Sequence, residues 1–524
     1  MNIREIEEII DTYHVKHPFL NGTKEQMTYE ILSVFQKLCS DEIASSILNP
    51  FALQKITDYM DAVTQALSWI EHSHFSNISS EISDDISEER YEEGRSFLCE
   101  YALPYSQICS GYISFSRNRF SAKVEDNSVI FDISEGENNT FYTDIIREID
   151  QKQNSLFMDF INPMTLSEAF LKFQKEINTT DGVLSYSINE DMLEPFIKVT
   201  SKHWEYTKTL PNTWKFDEFT INEYRDFWIT ITAICYFHLF SCIYIENSLI
   251  ELKNSLMNVP KEMLINTVSY LSKLNPETIN KIIKYITFEP TKRNVDIVYQ
   301  PIVEYNDKVL ITPILFIASN PERNLLSLVN SRKDYEHSKE VNDLENLMIS
   351  EIKTAIPNIE NLILAKHRHL ENFLPDLDLG IYDKKTNTAL LCELKWFTAA
   401  DSTKEVYARE DEITHGCNQM ESIMSYAMCN KKSFIKKVFD LDEDDVELFC
   451  CVIAKHNIRT KNNHVPVINL KTLIDLFSSQ SIINIFHIIR NCEFETHSPT
   501  GISFTHKTVK YGDYIFKIPA ICFE

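Results

Sequence analysis

Apolar residues recur at three- and four-residue spacing through the first 95 positions, in IREIEEIIDTYHV, MTYEILSVFQKLC and LQKITDYMDAVTQALSWI. That period predicts three amphipathic helices. No longer repeat joins them, and SSEISDDISEERYEEG between this region and the next is polar and acidic, as expected of a solvated helix face or loop. The pattern then changes to alternation. CSGYISFSRNRFSAKVEDNSVIFDIS, with DNS as a tight turn, predicts a β-hairpin inserted near residues 96–140. Helical spacing returns over 141–290. The run FWITITAICYFHLFSCIYI (Phe227–Ile245) is long enough to raise a membrane span, but the central helix of a large helical core fits it better, with His238 as a satisfied core histidine. VPKEMLINTVSYLSKLNPETINKIIKYITF adds two helices, the second capped by Asn275 with Pro276 in its first turn.

From residue 291 strands and helices alternate. VDIVYQPIVEYNDKVLITPILFI reads as strand, turn at YNDK, strand, and the stretch that follows to Ile356 is largely helical. Beyond it come a hairpin (Leu374–Trp396), a helix through THGCNQMESIMSYAM, the strand VELFCCVIAK, and VPVINLKTLIDLF as strand then helix. The tail TVKYGDYIFKIPAICFE supplies closing strands. This succession predicts an α/β domain over 291–524, a mixed central sheet flanked by helices, preceded over 1–290 by a mainly helical targeting or regulatory region.

Composition narrows the classes. With 524 residues and 44% hydrophobic content, two or three cored domains are expected. Only nine glycines occur, and neither GxxxxGK[ST] nor GxGxxG is present, which argues against a phosphate-cradling loop. The twelve cysteines form no CxxC pair, which disfavours a zinc ribbon and fits reduced thiols in a cytoplasmic protein. The N-terminus, MNIREIEEII, is charged and amphipathic rather than a signal peptide. The net charge of −26 lies mostly in the first 290 residues, so any nucleic-acid contact belongs on local basic patches of the C-terminal part.

The candidate chemistry sits in LPDLDLGIYDKKTNTALLCELKW, two apolar segments joined by a polar turn. A turn centred between Lys385 and Thr386 places Asp378 opposite Glu393 and Asp376 opposite Lys395. Directly opposed residues share a face, as do residues two apart on one strand, so all four converge. Three carboxylates in apolar strands are costly to desolvate. A hard divalent cation, Mg²⁺ or Mn²⁺, relieves their repulsion. The ammonium can position water and balance charge on a phosphoryl transition state. The bland alternative is a surface hairpin with a chance salt bridge, against which stands the apolar setting of CELKW.

The order PD, acidic strand, turn, CELKW resembles the PD-(D/E)XK nuclease superfamily, whose fold is restriction-endonuclease-like. The resemblance implies an Mg²⁺-dependent phosphodiesterase or endonuclease with Asp378 as metal ligand, Glu393 as second ligand and Lys395 as the catalytic lysine. The literal PD belongs to Asp376, which stays an alternative metal ligand. It also implies a supporting Glu on the preceding helix, Glu345 first and Glu340 second, and a Gln on the following helix, Gln419, with His415 one turn before it. DNA is the expected substrate, and bacterial defence against phage the expected setting. The competing reading is a catalytically inactive nuclease fold that binds a protein partner, with the acidic helical region as the site of that partner or of oligomerisation.

Other singled-out residues carry paired readings. Lys366 and Arg368, within AKHRHL beside His367 and His369, are candidate phosphate contacts or merely a polar strand end. Arg117 and Arg119 either hold phosphate or discourage edge aggregation. His72 and His74, two apart on a helix, do not face together as a metal pair would.

Overall fold

The computed structural model describes the chain except residues 1, 46–51, 74–81, 135–162, 181, 217, 246–250, 291–295, 333–337, 357–358, 372, 399, 401, 457–463, 494–501 and 524. The fold is mixed α/β and mainly helical. The three N-terminal helices form at Ile3–Tyr13, Lys24–Ser45 and Ala52–His72. Asn2 and Glu5 exchange side-chain bonds with each other's backbone N–H, a capping box that sets where the first helix begins. His72 bonds back to the Ser68 carbonyl at 2.7 Å, and His74 lies outside the described residues.

The alternating stretch is shorter than its pattern predicts. CSGYISFS belongs to the helix Leu103–Ser116, whose Ile108 and Tyr112 lie four apart on one buried face. Strands begin only at β1 (Phe120–Glu125) and β2 (Ser128–Ile133), joined through Asp126 at φ 50°. The minor hairpin β3 (Asn178–Thr180) and β4 (Val183–Ser185) follows.

Helix Ile221–Ile245 forms the centre of the largest core, with Phe227, Trp228, Ile231, Ile234 and Phe237 essentially sealed from solvent. Its apolar length suffices to cross a bilayer, yet 78% of its most apolar window is buried inside the protein. His238 sits in that core between the Tyr186 hydroxyl at 2.6 Å and the Asn254 carbonyl at 2.8 Å. Asn275 caps helix Pro276–Tyr285 by accepting from Glu277 N–H at 2.8 Å, as expected.

The predicted strand pair after residue 291 forms as β6 (Ile302–Tyr305) and β7 (Lys308–Ile311), with Asn306 at φ 50° in the turn. It does not open a C-terminal domain, however. β7 pairs with β5 (Met257–Pro260), and its residues pack into the same core as the long helix. The boundary expected at residue 290 therefore cuts a continuous unit, because the strands of this sheet come from both sides of it.

The second unit is a five-stranded sheet in the order β12-β11-β10-β9-β8: β8 (Leu362–Arg368), β9 (Leu377–Asp383), β10 (Thr388–Lys395), β11 (Glu447–Ala454) and β12 (Val467–Asn469). β9 runs antiparallel to both β8 and β10, while β10, β11 and β12 run parallel. Helices Thr403–Cys429 and Lys431–Phe439 cover one face through Ile413, Cys417, Met420, Phe434 and Val438. Helices Ser338–Ala355, Leu470–Ser479 and Ile482–Arg490 cover the other through Met348, Ile352, Leu473 and Phe486. Burial on both faces explains why β10 reads as a nearly continuous apolar run.

The tail does not close this sheet. β13 (Ile502–Tyr511) and β14 (Tyr514–Phe523) form a hairpin that returns to the N-terminal region, where Ile515–Lys517 pair parallel with Ser128–Ile130. The resulting sheet β1-β2-β14-β13 packs Val509, Tyr511 and Phe516 against Ile6, Ile10, Ile108, Tyr112 and Phe131. The 96–140 hairpin is thus half of a sheet completed from the other end of the chain, rather than an insertion.

Candidate active site

The hairpin β9–β10 has the expected register, from Asp383 opposite Thr388 to Leu379 opposite Cys392. The DKKTNT turn sets it: Asp383 accepts from Lys385 N–H at 3.0 Å and from the Thr386 hydroxyl at 2.7 Å, and Asn387 takes the left-handed position at φ 56°. One step beyond the last ladder pair, the Asp378 carboxylate accepts the Leu394 N–H at 2.8 Å. A side chain thus replaces a backbone acceptor where the strands part, and Asp378 is locked beside Glu393.

Glu393 is 4% exposed. Its Oε1 accepts from Lys395 Nζ at 2.7 Å, the two side chains sharing a face at strand spacing. Its Oε2 is buried without a hydrogen-bond donor, and the Asp378 carboxylate lies against it. Two acceptors facing each other are held only by a shared proton or a cation. Burial, and then the charge of Asp378, push the Glu393 pKa up to about 7. Burial also raises Asp378, opposed by the Leu394 N–H. We place the shared proton on Glu393, since it has no such backbone donor.

Glu345 reaches the same point from helix Ser338–Ala355. Burial, and then Asp378, raise its pKa to about 7. Ligand atoms of Glu345, Asp378 and His367 lie within 4.8 Å of one another. Two negative charges at that separation repel by about 3.5 kcal/mol at an effective dielectric near 20, which disfavours ionising both. Two carboxylates and an imidazole are a donor set that a divalent cation could take, and Glu393 adjoins it through Asp378.

His367 stands in β8 between the pairs Lys366–Leu379 and Arg368–Leu377, hence across from Asp378. Its backbone adopts φ 43°, uncommon for a non-glycine residue, and its Nε2 contacts Asn346 Oδ1 at 3.2 Å. It was expected only as a neighbour of the phosphate patch. Strand alternation would have separated it from Lys366 and Arg368, but the pairing of β8 with β9 was not predicted, so its side could not be assigned.

Helix Thr403–Cys429 lies over Glu393 and Lys395. A methyl group on Gly416 would sit 2.9 Å from Lys395 Cε and 3.3 Å from Glu393 Cγ, so glycine permits the close approach. One turn later Gln419 Oε1 accepts from Lys395 Nζ at 3.4 Å. His415 is exposed. Asp376 needs correction: it precedes β9, is exposed, and contacts His369 Nδ1 at 2.7 Å instead of joining the carboxylates. The strands diverge before its turn in the register. The Glu340 side chain lies outside the described residues. Lys366 and Arg368 are exposed at the end of β8 and make no ion pair among the described residues.

Arg117 and Arg119 hold carboxylates rather than open solvent. Arg119 pairs with Glu410, both nearly buried, and Arg117 with Asp411 at 3.0 Å. A small cavity of about 20 Å³, lined by Val199, Trp204, Trp228, Tyr236 and Phe316, lies in the helical core and shares no residue with the carboxylate cluster. It has room for about one water. No family model, curated protein or solved structure matches the chain.

Proposed function

We propose that the chain is a metal-dependent nuclease that hydrolyses phosphodiester bonds, with DNA as substrate, and that the β8–β12 unit is a restriction-endonuclease-like domain. One observation carries the reading: Asp378, Glu393, Lys395, Glu345 and Gln419, drawn from two strands and two helices, meet at one end of the sheet around an acceptor that lacks a donor. The strand–turn–strand placement of the acidic pair and the parallel strands beyond it also agree with the family pattern.

Asp378, Glu345 and His367, with Glu393 beside them, would hold Mg²⁺ or Mn²⁺. When bound, such an ion supplies Lewis-acid charge to a phosphoryl oxygen and lowers the pKa of water. The chain's own residues supply the rest. Lys395, held between Glu393 and Gln419, presents an ammonium to the negative charge that develops on phosphorus-bound oxygen. Leu394 N–H fixes the Asp378 carboxylate, so its orientation is set before substrate arrives. Lys366 and Arg368, exposed at the end of β8, are the candidate contacts for phosphates beyond the scissile one, without reading bases. A setting in bacterial defence rests on family analogy alone.

The test is incubation with plasmid and with single-stranded DNA in Mg²⁺ or Mn²⁺. Cleavage is expected in wild type and is expected to vanish in Lys395→Ala at unchanged circular dichroism. A fully active variant would remove the mechanism. Calorimetry with Mn²⁺ separates the inactive-scaffold alternative: binding that persists unaltered in the double variant Asp378→Ala, Glu393→Ala would show that the carboxylates hold no ion.

A further inference from the structure

We infer that Asn346 is the positioning residue of the metal centre: it fixes the His367 ring so that Nδ1 carries the lone pair offered to a cation, and thereby favours a transition ion over Mg²⁺. The inference rests on the cation reading of the Glu345, His367 and Asp378 cluster and adds the group that sets its specificity.

His367 Nε2 lies 3.2 Å from Asn346 Oδ1. An amide oxygen only accepts, so this bond forms when Nε2 carries the proton. A neutral imidazole has one proton for its two nitrogens, which leaves the lone pair on Nδ1. Metal-bound histidines are held in one tautomer and one orientation in this way, the second nitrogen donating to an oxygen acceptor. Carboxylates alone suit Mg²⁺, and an imidazole nitrogen moves the preference toward transition ions. Loss of the tautomer therefore costs the site its nitrogen while both carboxylates remain.

The backbone of β8 departs from ordinary strand geometry at this ring. Among the described residues, His367 is the one non-glycine residue at positive φ that lies inside a strand. Asp126, Asn306 and Asn387 take that conformation in hairpin turns, and Lys273 and Asp440 at helix ends. The β8–β9 ladder pairs Lys366 with Leu379 and Arg368 with Leu377 and passes over His367. Such a conformation is unfavourable and persists only where the surroundings impose it. What meets the ring is helix Ser338–Ala355. Glu345 and Asn346 are successive residues there, so one turn brings both a carboxylate ligand and the acceptor for the imidazole. Buried Met348, Ile349 and Ile352 anchor that helix against the sheet, and Glu351 pairs with Lys455 at 3.1 Å. Asn346 and His367 are themselves exposed. Their bond adds little to folding, so its removal separates a metal-binding role from a structural one.

Binding and tautomer are measured on the full chain at pH 8, with no nuclease assay. Nitrogen NMR of metal-free protein carrying labelled histidine should show His367 protonated at Nε2 in wild type, and as a mixture of tautomers in Asn346→Leu. In calorimetry, Asn346→Leu, close in size but unable to accept, should weaken Mn²⁺ binding about ten-fold or more and alter Mg²⁺ binding less. Asn346→Asp keeps an acceptor and should hold Mn²⁺ at least as well as wild type. In a His367→Ala background the leucine substitution should cost nothing further, because Asn346 acts through the imidazole. The thermal midpoint of metal-free Asn346→Leu should stay near that of wild type. Equal losses for the two ions would overturn the proposal, as would a wild-type ring protonated at Nδ1, or a further loss of Mn²⁺ affinity in the His367→Ala background. A wild type that binds no Mn²⁺ would sink the cation reading and this role together. Mn²⁺ bound as tightly by Asn346→Leu as by wild type would sink this role alone.

Discussion

At Glu393 a carboxylate is buried without enough donors, and its behaviour with pH follows from that. The Glu345 and Glu393 pKa values are raised to about 7 by burial and by Asp378. Between the ordinary carboxylate range and pH 7 the metal-free folded chain binds more protons here than the unfolded chain. The contribution of these groups to stability is therefore largest at acid pH and falls as pH rises from about 4.5 to 7. Urea denaturation of metal-free protein at pH 5 and pH 8 should show Glu393→Gln gaining stability relative to wild type at pH 8 and little difference at pH 5. Mn²⁺ needs the ionised acids, so its affinity should rise with pH up to about 7 with release of protons, measured by calorimetry in buffers of different ionisation heat. His367 adds a nitrogen donor, which favours a transition ion over Mg²⁺. His367→Ala should weaken Mn²⁺ binding about ten-fold or more and alter Mg²⁺ binding less. Gly416→Ala pushes a methyl group onto Lys395 and Glu393. About a 100-fold loss of cleavage is expected from displacement of that order, with the thermal midpoint nearly unmoved.

Among elements, helix Thr403–Cys429 joins the two halves of the molecule. Its second half carries Gly416 and Gln419 over the carboxylates. Its first half is tied to residues outside the β8–β12 unit: Glu405 to Arg323 at 2.8 Å and to the Tyr299 hydroxyl at 3.2 Å, Glu410 to Arg119, and the Tyr407 hydroxyl to Ser114 Oγ at 2.9 Å. Exposed ion pairs contribute little, but Arg119 and Glu410 are nearly sealed, and removing one partner strands the other. Arg119→Ala should cost about 3–5 kcal/mol in chemical denaturation and lower cleavage as well, because the displaced helix bears Gln419. Deeper in the large core, Glu322 accepts from Trp204 Nε1, Arg225 Nε, and the N–H groups of Thr209 and Leu210. It joins the end of one helix, the following loop and the central helix to helix Pro321–Arg332, on the far side of the expected domain boundary.

For the whole molecule, chain order and spatial order part company. The final hairpin completes a sheet begun some 390 residues earlier, with Phe516 opposite Val129. Deleting residues 502–524 uncovers β2 and removes Val509, Tyr511 and Phe516 from their core. Hydrogen exchange should then show lost protection over 103–133 while Thr388–Lys395 stays protected, since β10 lies between β9 and β11 and owes nothing to the tail. Uniform loss across both regions would show that the two units fold as one. An exposed edge at β2 should also make the truncated chain aggregate.

What the amino-acid order determined by itself is local. The DKKTNT turn set a hairpin register, and with it Asp378 beside Glu393, because turn chemistry and two-residue alternation act over about ten residues. Asn275 and the helical periods were legible for the same reason. Asp376 was misplaced because register extrapolated past the last ladder pair says nothing of where strands separate. Only the tertiary structure decided that His367 faces the carboxylates, that Gly416 admits a helix onto Lys395, that β5–β7 belong to the helical core and that the tail returns to β2. Each of those depends on which surfaces meet across tens to hundreds of residues. That choice is made by burying apolar area against a distant partner, and short-range patterning is blind to it.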